Sequence, residues 1–307
     1  MQNSYDPLSL MPSQKDEKRA TQREARTILH MPHAMGRQQP PLSEGSIESF
    51  LVDAASRLRS PAEDRTPVRF GIDLGTATIV LTALDSDGLP VYWNFLRAAV
   101  VRDGVVVDFQ GAVEAVRSLK MQAEAVLGCT LDEAATAHPP ALPAIDCRAC
   151  HFVLQKAGID CRSLVDEVSA ANALLKVRDG ALVDVGGGST GVGVFRQGEC
   201  VSLSDRAGGG HQLDLILAGA LRISVEQAET HKRENGTEIA SILRPGIERI
   251  AESILRQCNG TSPGTVHLAG GALRLPQADL VISQYLGWPV QAYDHAELIT
   301  PFGIAVS

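Results

Sequence analysis

The chain has 307 residues, of which 44% are hydrophobic, and a formal net charge of −8. A chain of this length can bury a large core and suggests about two domains. Its 28 Lys and Arg residues are spread along the chain and are not clustered outside the N-terminal fifty residues, which argues against nucleic-acid binding. It has no run of about 18 apolar residues and no signal peptide, so the sequence predicts a cytoplasmic protein without membrane insertion. Six cysteines fit a reducing compartment better than a disulfide scaffold.

The N-terminal part differs in composition from the rest. Residues 1–45 mix charged residues, Met, Pro and Gln without a sustained apolar face, which predicts a disordered arm. Residues 46–67 are predicted to form an amphipathic helix, over 46–59, and then a linker. The apolar residues at helical spacing are Ile47, Phe50, Leu51, Ala54, Ala55 and Leu58. Such a helix either docks into a groove of a partner or packs on its own body, and the sequence leaves both open.

The remainder divides into two halves with similar patterns. Residues 68–178 begin with three strand-like runs and continue with alternating helices and strands. Residues 179–307 start again with three strand-like runs and glycine-rich turns, followed by helices, a strand and a final short helix. This repetition predicts an α/β fold with two similar lobes.

Glycines follow a strand in GIDLGTAT (71–78), LVDVGGGSTG (182–191) and HLAGGALRLP (267–276). Glycine allows close approach of the backbone to a ligand, and successive N–H groups in such turns bind phosphate. Asp73 and Asp184 end the first two strands. Carboxylates repel phosphate, so we expect a hydrated Mg²⁺ between them. A single Asp-x-Gly is usually a structural turn, but its repetition in both halves favours a nucleotide site.

Five stretches in order, GIDLGTAT, DEVSAANAL, DVGGGSTG, AGGALRLP and TPFGIAV, resemble the ATPase motifs of the actin, sugar-kinase and DnaK-type heat-shock superfamily. In that superfamily they are phosphate 1, connect 1, phosphate 2, adenosine and connect 2. The resemblance covers residues 68–307. It implies an actin-like ATPase fold, which is ribonuclease H-like, with a nucleotide cleft between two lobes and reduced outer subdomains.

Within the superfamily, VVRDGVVVDFQGAV, GGGHQLDLILAG and AETHKR are most similar to the chaperone-like ATPases of ethanolamine-utilisation operons. That resemblance implies an ATP-binding, slowly hydrolysing protein. Its implied partner is an enzyme or shell protein of the catabolic microcompartment, which would place it there within the cytoplasm. A small-molecule kinase and a nucleotide-dependent polymerising protein of the same fold are the alternatives, although this short chain offers few insertions for a kinase pocket.

The resemblance also implies roles for individual residues. Asp73 and Asp184 would hold the water shell of Mg²⁺, and Glu167 would position the attacking water, which suits a reaction dominated by positioning. The implied contacts to the β- and γ-phosphates are Gly75, Thr76 and Ala77 on one side and Gly187, Gly188 and Ser189 on the other. The implied ribose and adenine contacts are Gly209, Gly210, Glu229, Lys232, Arg233, Gly270, Gly271 and Arg274. Taken alone, AETHKR is typical of a solvated helix face.

The chain departs from the superfamily pattern at two positions, and two of its stretches also match patterns of other protein classes. Val168 stands where related proteins have Pro, and Lys120, which does not match the catalytic lysine of heat-shock proteins, is interpreted as a surface charge. CRACH at residues 147–151 matches a haem-attachment pattern and, with Cys161, part of a zinc site, but core or helix-surface cysteines are the interpretation preferred here. GGGSTG, with Asp205 downstream, matches a dinucleotide pattern but precedes a strand instead of a helix.

Overall fold

The computed structural model describes residues 44–102, 105–142 and 144–307. The predicted disordered arm, residues 1–45, lies outside the described residues except for its last two, which belong to the first helix. None of the helices in the described ranges is long and apolar enough to cross a membrane.

The chain forms strands and helices in the following order. The elements up to residue 175 are α1 (Glu44–Ser56), β1 (Arg69–Leu74), β2 (Thr78–Leu84), β3 (Pro90–Arg97), β4 (Val101–Arg102), β5 (Val105–Val106), α2 (Phe109–Leu127), β6 (Glu133–His138), α3 (Ala144–Lys156), β7 (Asp160–Asp166) and α4 (Glu167–Leu175). They are followed by β8 (Gly180–Val185), β9 (Ser189–Arg196), β10 (Glu199–Ala207), α5 (Gly210–Leu221), α6 (Val225–Glu234), α7 (Gly236–Gln257), β11 (Val266–Ala269), α8 (Ala278–Leu286), β12 (Val290–Gln291), a 3₁₀ helix (Ala296–Leu298) and α9 (Ile299–Val306).

Two five-stranded sheets have the same topology. The first has the strand order β3-β2-β1-β6-β7, and the second has the order β10-β9-β8-β11-β12. In each, three strands form an antiparallel meander and two further strands run parallel to the first strand of that meander. The central strand β8 is buried along its whole length because helices cover both faces of the sheet, which suits its apolar sequence GALVDV. The repeated pattern in the sequence therefore corresponds to a repeated sheet.

Helices α4 and α9 connect the two sheets. Helix α4 follows the first sheet but packs on the second, where Val168 fills the space left by Gly193. Helix α9 follows the second sheet but packs on the first, where Thr82 donates its hydroxyl proton to the carbonyl of Pro301 at 2.9 Å. The two helices touch so closely that a Cβ atom on Gly303 would overlap a backbone carbonyl of α4. Each sheet is thus covered partly by a helix that belongs to the other half of the chain.

The apolar face of α1 packs on the body of the protein. Phe50 contacts Phe302 of α9 edge to face, with ring centroids 5.5 Å apart, and Trp93 Nε1 donates to the carbonyl of Ala54 at 2.8 Å. The alternative in which this face docks a partner is therefore wrong. The helix also ends at Ser56, earlier than predicted, and Leu58 instead bridges to β3.

Residues 60–67, predicted to form a linker, are held against the edge of the first sheet. Arg65 forms an ion pair with Asp53 of α1 at 2.5 Å and donates to the carbonyl of Pro90 at 2.7 Å. The backbone N–H of Ala62 donates to the carbonyl of Val91 at 2.9 Å. The segment therefore fixes α1 beside β3.

Lys120 and the cysteines of CRACH make contacts that stabilise the fold. Lys120, predicted to be a surface charge, donates from Nζ to the carbonyl of Gly158 at 2.7 Å and lies 3.7 Å from Glu124 Oε1, so it joins α2 to the end of α3. Cys147 and Cys150 are buried, and burial raises the pKa of the Cys150 thiol to about 12. Cys150 therefore lies in the core as an uncharged apolar residue.

Candidate nucleotide site

The turns that follow β1 and β8 face each other across the two sheets. A Cβ atom on Gly187 would lie 3.5 Å from the Cβ atoms of both Thr76 and Ala77. In the first turn, a Cβ on Gly75 would lie 2.8 Å from the carbonyl oxygen of Thr78, so this tight turn requires glycine. The predicted phosphate 1 and phosphate 2 loops are therefore adjacent, as two loops that hold one phosphate chain must be.

A second glycine loop supports the turn after β8. The N–H of Gly208 donates to the carbonyl of Gly188 at 2.8 Å, and the N–H of Gly210 donates to the carbonyl of Gly186 at 3.0 Å. A Cβ on Gly209 would overlap the carbonyl oxygen of Gly186. The predicted ribose loop thus packs directly against the predicted phosphate loop, at the N-terminus of α5, where the helix dipole favours an anion.

Asp73 and Asp184, at the ends of the central strands of the two sheets, influence each other. Burial raises the pKa of Asp73 to about 7, and the negative charge of Asp184 adds to this shift. Burial also raises the pKa of Asp184 to about 6, although Thr300 Oγ1 donates to Asp184 Oδ2 at 2.5 Å and so favours the ionised form. The sequence did not single out Thr300, although it lies in the connect 2 stretch.

Glu167 joins these two carboxylates from the connecting helix. It is the first residue of α4, directly after Asp166, which caps that helix. Burial raises the pKa of Glu167 well above its usual range, and the charges of Asp184, Asp73 and Asp205 raise it further. The structure therefore brings the three predicted catalytic acids together.

Asp205 is a fourth carboxylate at this place, which the sequence analysis considered only for a dinucleotide pattern. It lies on β10, and burial raises its pKa although the hydroxyl of Ser189 hydrogen-bonds to it. Its Oδ1 atom is buried and accepts no hydrogen bond. The available signal in the sequence was an acid immediately before the glycine loop RAGGG.

The four carboxylates suit a hydrated magnesium ion better than a directly bound metal. In the described residues, no three His, Cys, Asp or Glu side chains are close enough together to bind a metal ion directly. No ion pair in the described part of the chain involves Asp73, Asp184, Glu167 or Asp205. Hard oxygen atoms are the ligands that Mg²⁺ prefers, and it keeps several of its waters. The carboxylate oxygens of Asp73 and Asp184 therefore fit the predicted ion.

The residues of AETHKR divide between the site and the solvent. Lys232 Nζ lies 2.6 Å from Asp214 Oδ1 and donates to the carbonyl of Gly210 at 3.1 Å, so it points at the glycine loop. Arg233 and Glu229 form an i,i+4 ion pair at 2.5 Å on the exposed side of α6. The solvated-face interpretation describes this pair but not Lys232.

The predicted adenosine loop lies beside the end of β8. Gly270 has a φ of 86°, and a Cβ there would overlap Asp184 Oδ1, so only glycine fits. Gly271 follows, and a Cβ atom placed on it would lie 3.4 Å from the Cβ of Glu297. Arg274 is largely exposed and forms an ion pair with Glu297 Oε1 at 2.6 Å, a partner that the sequence analysis missed.

Comparison with known proteins identifies the family. The chain is 38% identical over 250 residues to the ethanolamine utilization protein EutJ of Salmonella typhimurium, which covers 81% of this chain and 88% of the relative. The EutJ protein of Escherichia coli K12 is equally similar, at 38% identity over 250 residues, 81% of this chain and 89% of that protein. The chain belongs to the EutJ family. The predicted family is thereby confirmed.

Solved structures confirm the actin-like ATPase fold. EutJ from Carboxydothermus hydrogenoformans superposes with a TM-score of 0.81 at 38% identity, covering 85% of this chain and 97% of that chain. MreB5 of Spiroplasma citri bound to AMPPNP has a TM-score of 0.62 at 16% identity, with 76% and 93% of the two chains covered. A chain of the PilM–PilN type IV pilus biogenesis complex has a TM-score of 0.66 at 13% identity, with 78% and 97% covered. The family model for the cell division protein FtsA matches residues 181–302.

Proposed function

We propose that this EutJ-family protein binds Mg-ATP between its two sheets, hydrolyses it slowly and uses the bound nucleotide to control a protein partner in ethanolamine utilisation. The observation that carries this proposal is the meeting of the two glycine turns beside Asp73, Asp184 and Glu167. Buried acids without a cation are unfavourable, and they are often found where a site is arranged for chemistry. Nucleotide-bound MreB5, which shares the fold, supports the same use of the cleft.

Different residues would bind the phosphates, hold the magnesium ion and position the attacking water in the proposed reaction. Backbone N–H groups of the turns at 75–77 and 187–189 would hold the β- and γ-phosphates. The carboxylates of Asp73 and Asp184 would hold Mg²⁺ through its waters, and the bound ion would neutralise the phosphate charge. Glu167 would orient the attacking water by accepting its proton. These roles require positioning more than covalent chemistry, which matches a site built on rigid strand ends.

The nucleoside would lie on the side of α5 and α6. The ribose would lie beside the glycine loop at 209–210, next to Lys232, whose Nζ donates to the carbonyl of Gly210. A Cβ atom on Gly210 would lie 3.2 Å from the Cβ of Ala272. The loop at 270–274 would therefore form the other wall of the proposed nucleoside site. The exposed guanidinium of Arg274 could stack on adenine, which a lysine does less well. Glu229 and Arg233 would contact the nucleoside only after exchanging their mutual ion pair for it.

The partner is proposed as an enzyme or shell protein of the ethanolamine microcompartment. Family membership gives the pathway. A chain of similar fold occurs in the PilM–PilN type IV pilus biogenesis complex. Glu167→Ala, which keeps the cleft but removes the group that positions water, should accumulate the ATP-bound form. Affinity capture with this variant in Mg-ATP, compared with the same variant in Mg-ADP, is the experiment that identifies the partner.

Calorimetric titration with Mg-ATP and Mg-ADP tests nucleotide binding itself. Binding of both nucleotides, weakened by EDTA, is the expected result, and absence of binding at millimolar nucleotide would refute the proposal. Transfer of phosphate to a metabolite faster than to water would favour the small-molecule kinase. Pelleting that depends on ATP would favour the polymerising protein.

A further inference from the structure

Asp205 occupies a defined place relative to Asp184. In the second sheet Asp184 of β8 is directly opposite Gly191 of β9, and Gly191 is directly opposite Asp205 of β10. Directly opposed residues in an antiparallel sheet point to the same face. The side chains of Asp184 and Asp205 therefore lie on one face, in one row, with only a glycine between them.

The same face carries the start of α4. A Cβ atom on Gly191 would lie 3.1 Å from Val168 Cγ2, so the helix rests on the glycine in the middle of the row. Glu167 immediately precedes Val168, and the charges of both Asp184 and Asp205 act on it. Three carboxylates thus surround the first turn of α4, two from the sheet and one from the helix.

The oxygen atoms of these carboxylates have different partners. Asp184 Oδ2 accepts the hydroxyl proton of Thr300. Asp205 accepts hydrogen bonds from the hydroxyl of Ser189, in the proposed phosphate loop, and from the backbone N–H of Arg206, yet its Oδ1 is buried and accepts none. A buried acceptor without a donor costs free energy, and native proteins keep few of them. A water molecule is a donor that could satisfy it when the site is filled.

We propose that Asp205 is a catalytic residue that, together with Glu167, holds the water that attacks the γ-phosphate. This inference rests on the proposed ATPase function. When a lone pair of the attacking water points at the γ-phosphorus, both of its O–H groups point away and need hydrogen-bond acceptors. In that geometry one carboxylate can accept only one of the two O–H groups. Glu167 accepts the first proton and Asp205 Oδ1 accepts a hydrogen bond from the second.

The proposed step balances without another reactant. The water oxygen forms a bond to the γ-phosphorus while the bond from that phosphorus to the bridging oxygen of ADP breaks. One water proton passes to Glu167 and then to solvent or to product phosphate. The other proton stays on the transferred oxygen and remains hydrogen-bonded to Asp205 until phosphate leaves.

The test separates binding from turnover. Asp205→Ala, Asp205→Asn and the matched control Glu199→Gln, an exposed carboxylate on the same strand, are compared for the Kd of Mg-ATP and for the saturated rate of hydrolysis. Asp205→Ala should lower the rate at least about tenfold, which is less than the roughly hundredfold or more that a group accepting the proton itself contributes. Because a carboxylate repels phosphate, its removal should leave the Kd unchanged or tighter. Asp205→Asn keeps an acceptor oxygen and should fall between the wild type and Asp205→Ala.

Four results would overturn the inference. Weaker Mg-ATP binding by Asp205→Ala with an unchanged saturated rate would mean that Asp205 only supports Ser189. Equal rates for the wild type and Asp205→Ala would mean that it has no part in the step. A wild-type protein that binds Mg-ATP without hydrolysing it would overturn both the role of Asp205 and the hydrolysis in the proposed function, and absence of binding would overturn the proposed function entirely. Only equal hydrolysis by the wild type and Asp205→Ala overturns the role of Asp205 alone.

Discussion

Thr300 and Asp184 connect the last helix of the chain to the centre of the second sheet. The hydroxyl of Thr300, at the start of α9, donates to Asp184 Oδ2 at 2.5 Å, and both residues are buried. Helix α9 packs on the first sheet, so one hydrogen bond fixes the carboxylate of one sheet to the helix that covers the other. The position of a proposed magnesium ligand therefore depends on how the two halves are joined.

The first prediction concerns this hydrogen bond. Thr300→Val keeps the shape of the side chain but leaves Asp184 without its donor, so the pKa of Asp184 should rise further. We expect the free energy of unfolding to fall by about 1–3 kcal/mol in urea denaturation at neutral pH. Mg-ATP binding should weaken as well. Thr300→Ser keeps the hydroxyl and should be as stable as the wild type. If Thr300→Val were also as stable as the wild type, the hydrogen bond would make no net contribution to the free energy of unfolding.

The second prediction concerns the crossing of α4 and α9. Gly303→Ala would place a Cβ atom against the carbonyl of Ala170, and a backbone atom cannot move aside easily. We expect a loss of about 1–3 kcal/mol or more in the free energy of unfolding, measured by thermal and urea denaturation. Gly219→Ala is the control, because nothing lies within 4 Å of that position on α5, and it should stabilise the helix by about 0.5–1 kcal/mol. Similar effects of the two substitutions would contradict the proposed packing.

The third prediction concerns pH. The Asp73 carboxyl loses its proton near its ordinary pKa of 3.8 in the unfolded chain but near 7 in the folded protein. Between these values the folded state holds more protons, so the free energy of unfolding without nucleotide should decrease as pH rises from about 4 to 7. The raised pKa of Asp184, about 6, acts in the same direction.

Asp73→Asn removes part of this pH dependence. In EDTA, the variant should melt at a higher temperature than the wild type at pH 8, by roughly 2–4 °C for each kcal/mol recovered, and at nearly the same temperature at pH 4.5. Differential scanning fluorimetry over this pH range makes the comparison, with Glu199→Gln as the control for loss of an exposed carboxylate. A constant difference between variant and wild type at every pH would contradict the account.

Much of the fold and site follows from local sequence. The glycine turns, the acid at each strand end and the helix that begins at Glu167 are set by short stretches, and their order identifies the fold. Contacts between distant residues do not follow in the same way. The row from Asp184 to Asp205 depends on the register of three strands, and the burial of α1 depends on Phe302, about 250 residues later. Lys120 likewise appeared exposed because its partner, the carbonyl of Gly158, belongs to another helix–strand connection.

The most direct test of the account is the affinity of Asp73→Ala for Mg-ATP, measured by isothermal titration calorimetry beside a thermal melt of the same sample. The account predicts a folded variant whose Mg-dependent gain in ATP affinity is lost, because one of the two carboxylates that hold the hydrated ion is gone. We expect Asp184→Ala to lose the same Mg-dependent gain in ATP affinity. A folded Asp73→Ala variant that binds Mg-ATP as tightly as the wild type would contradict the central claim.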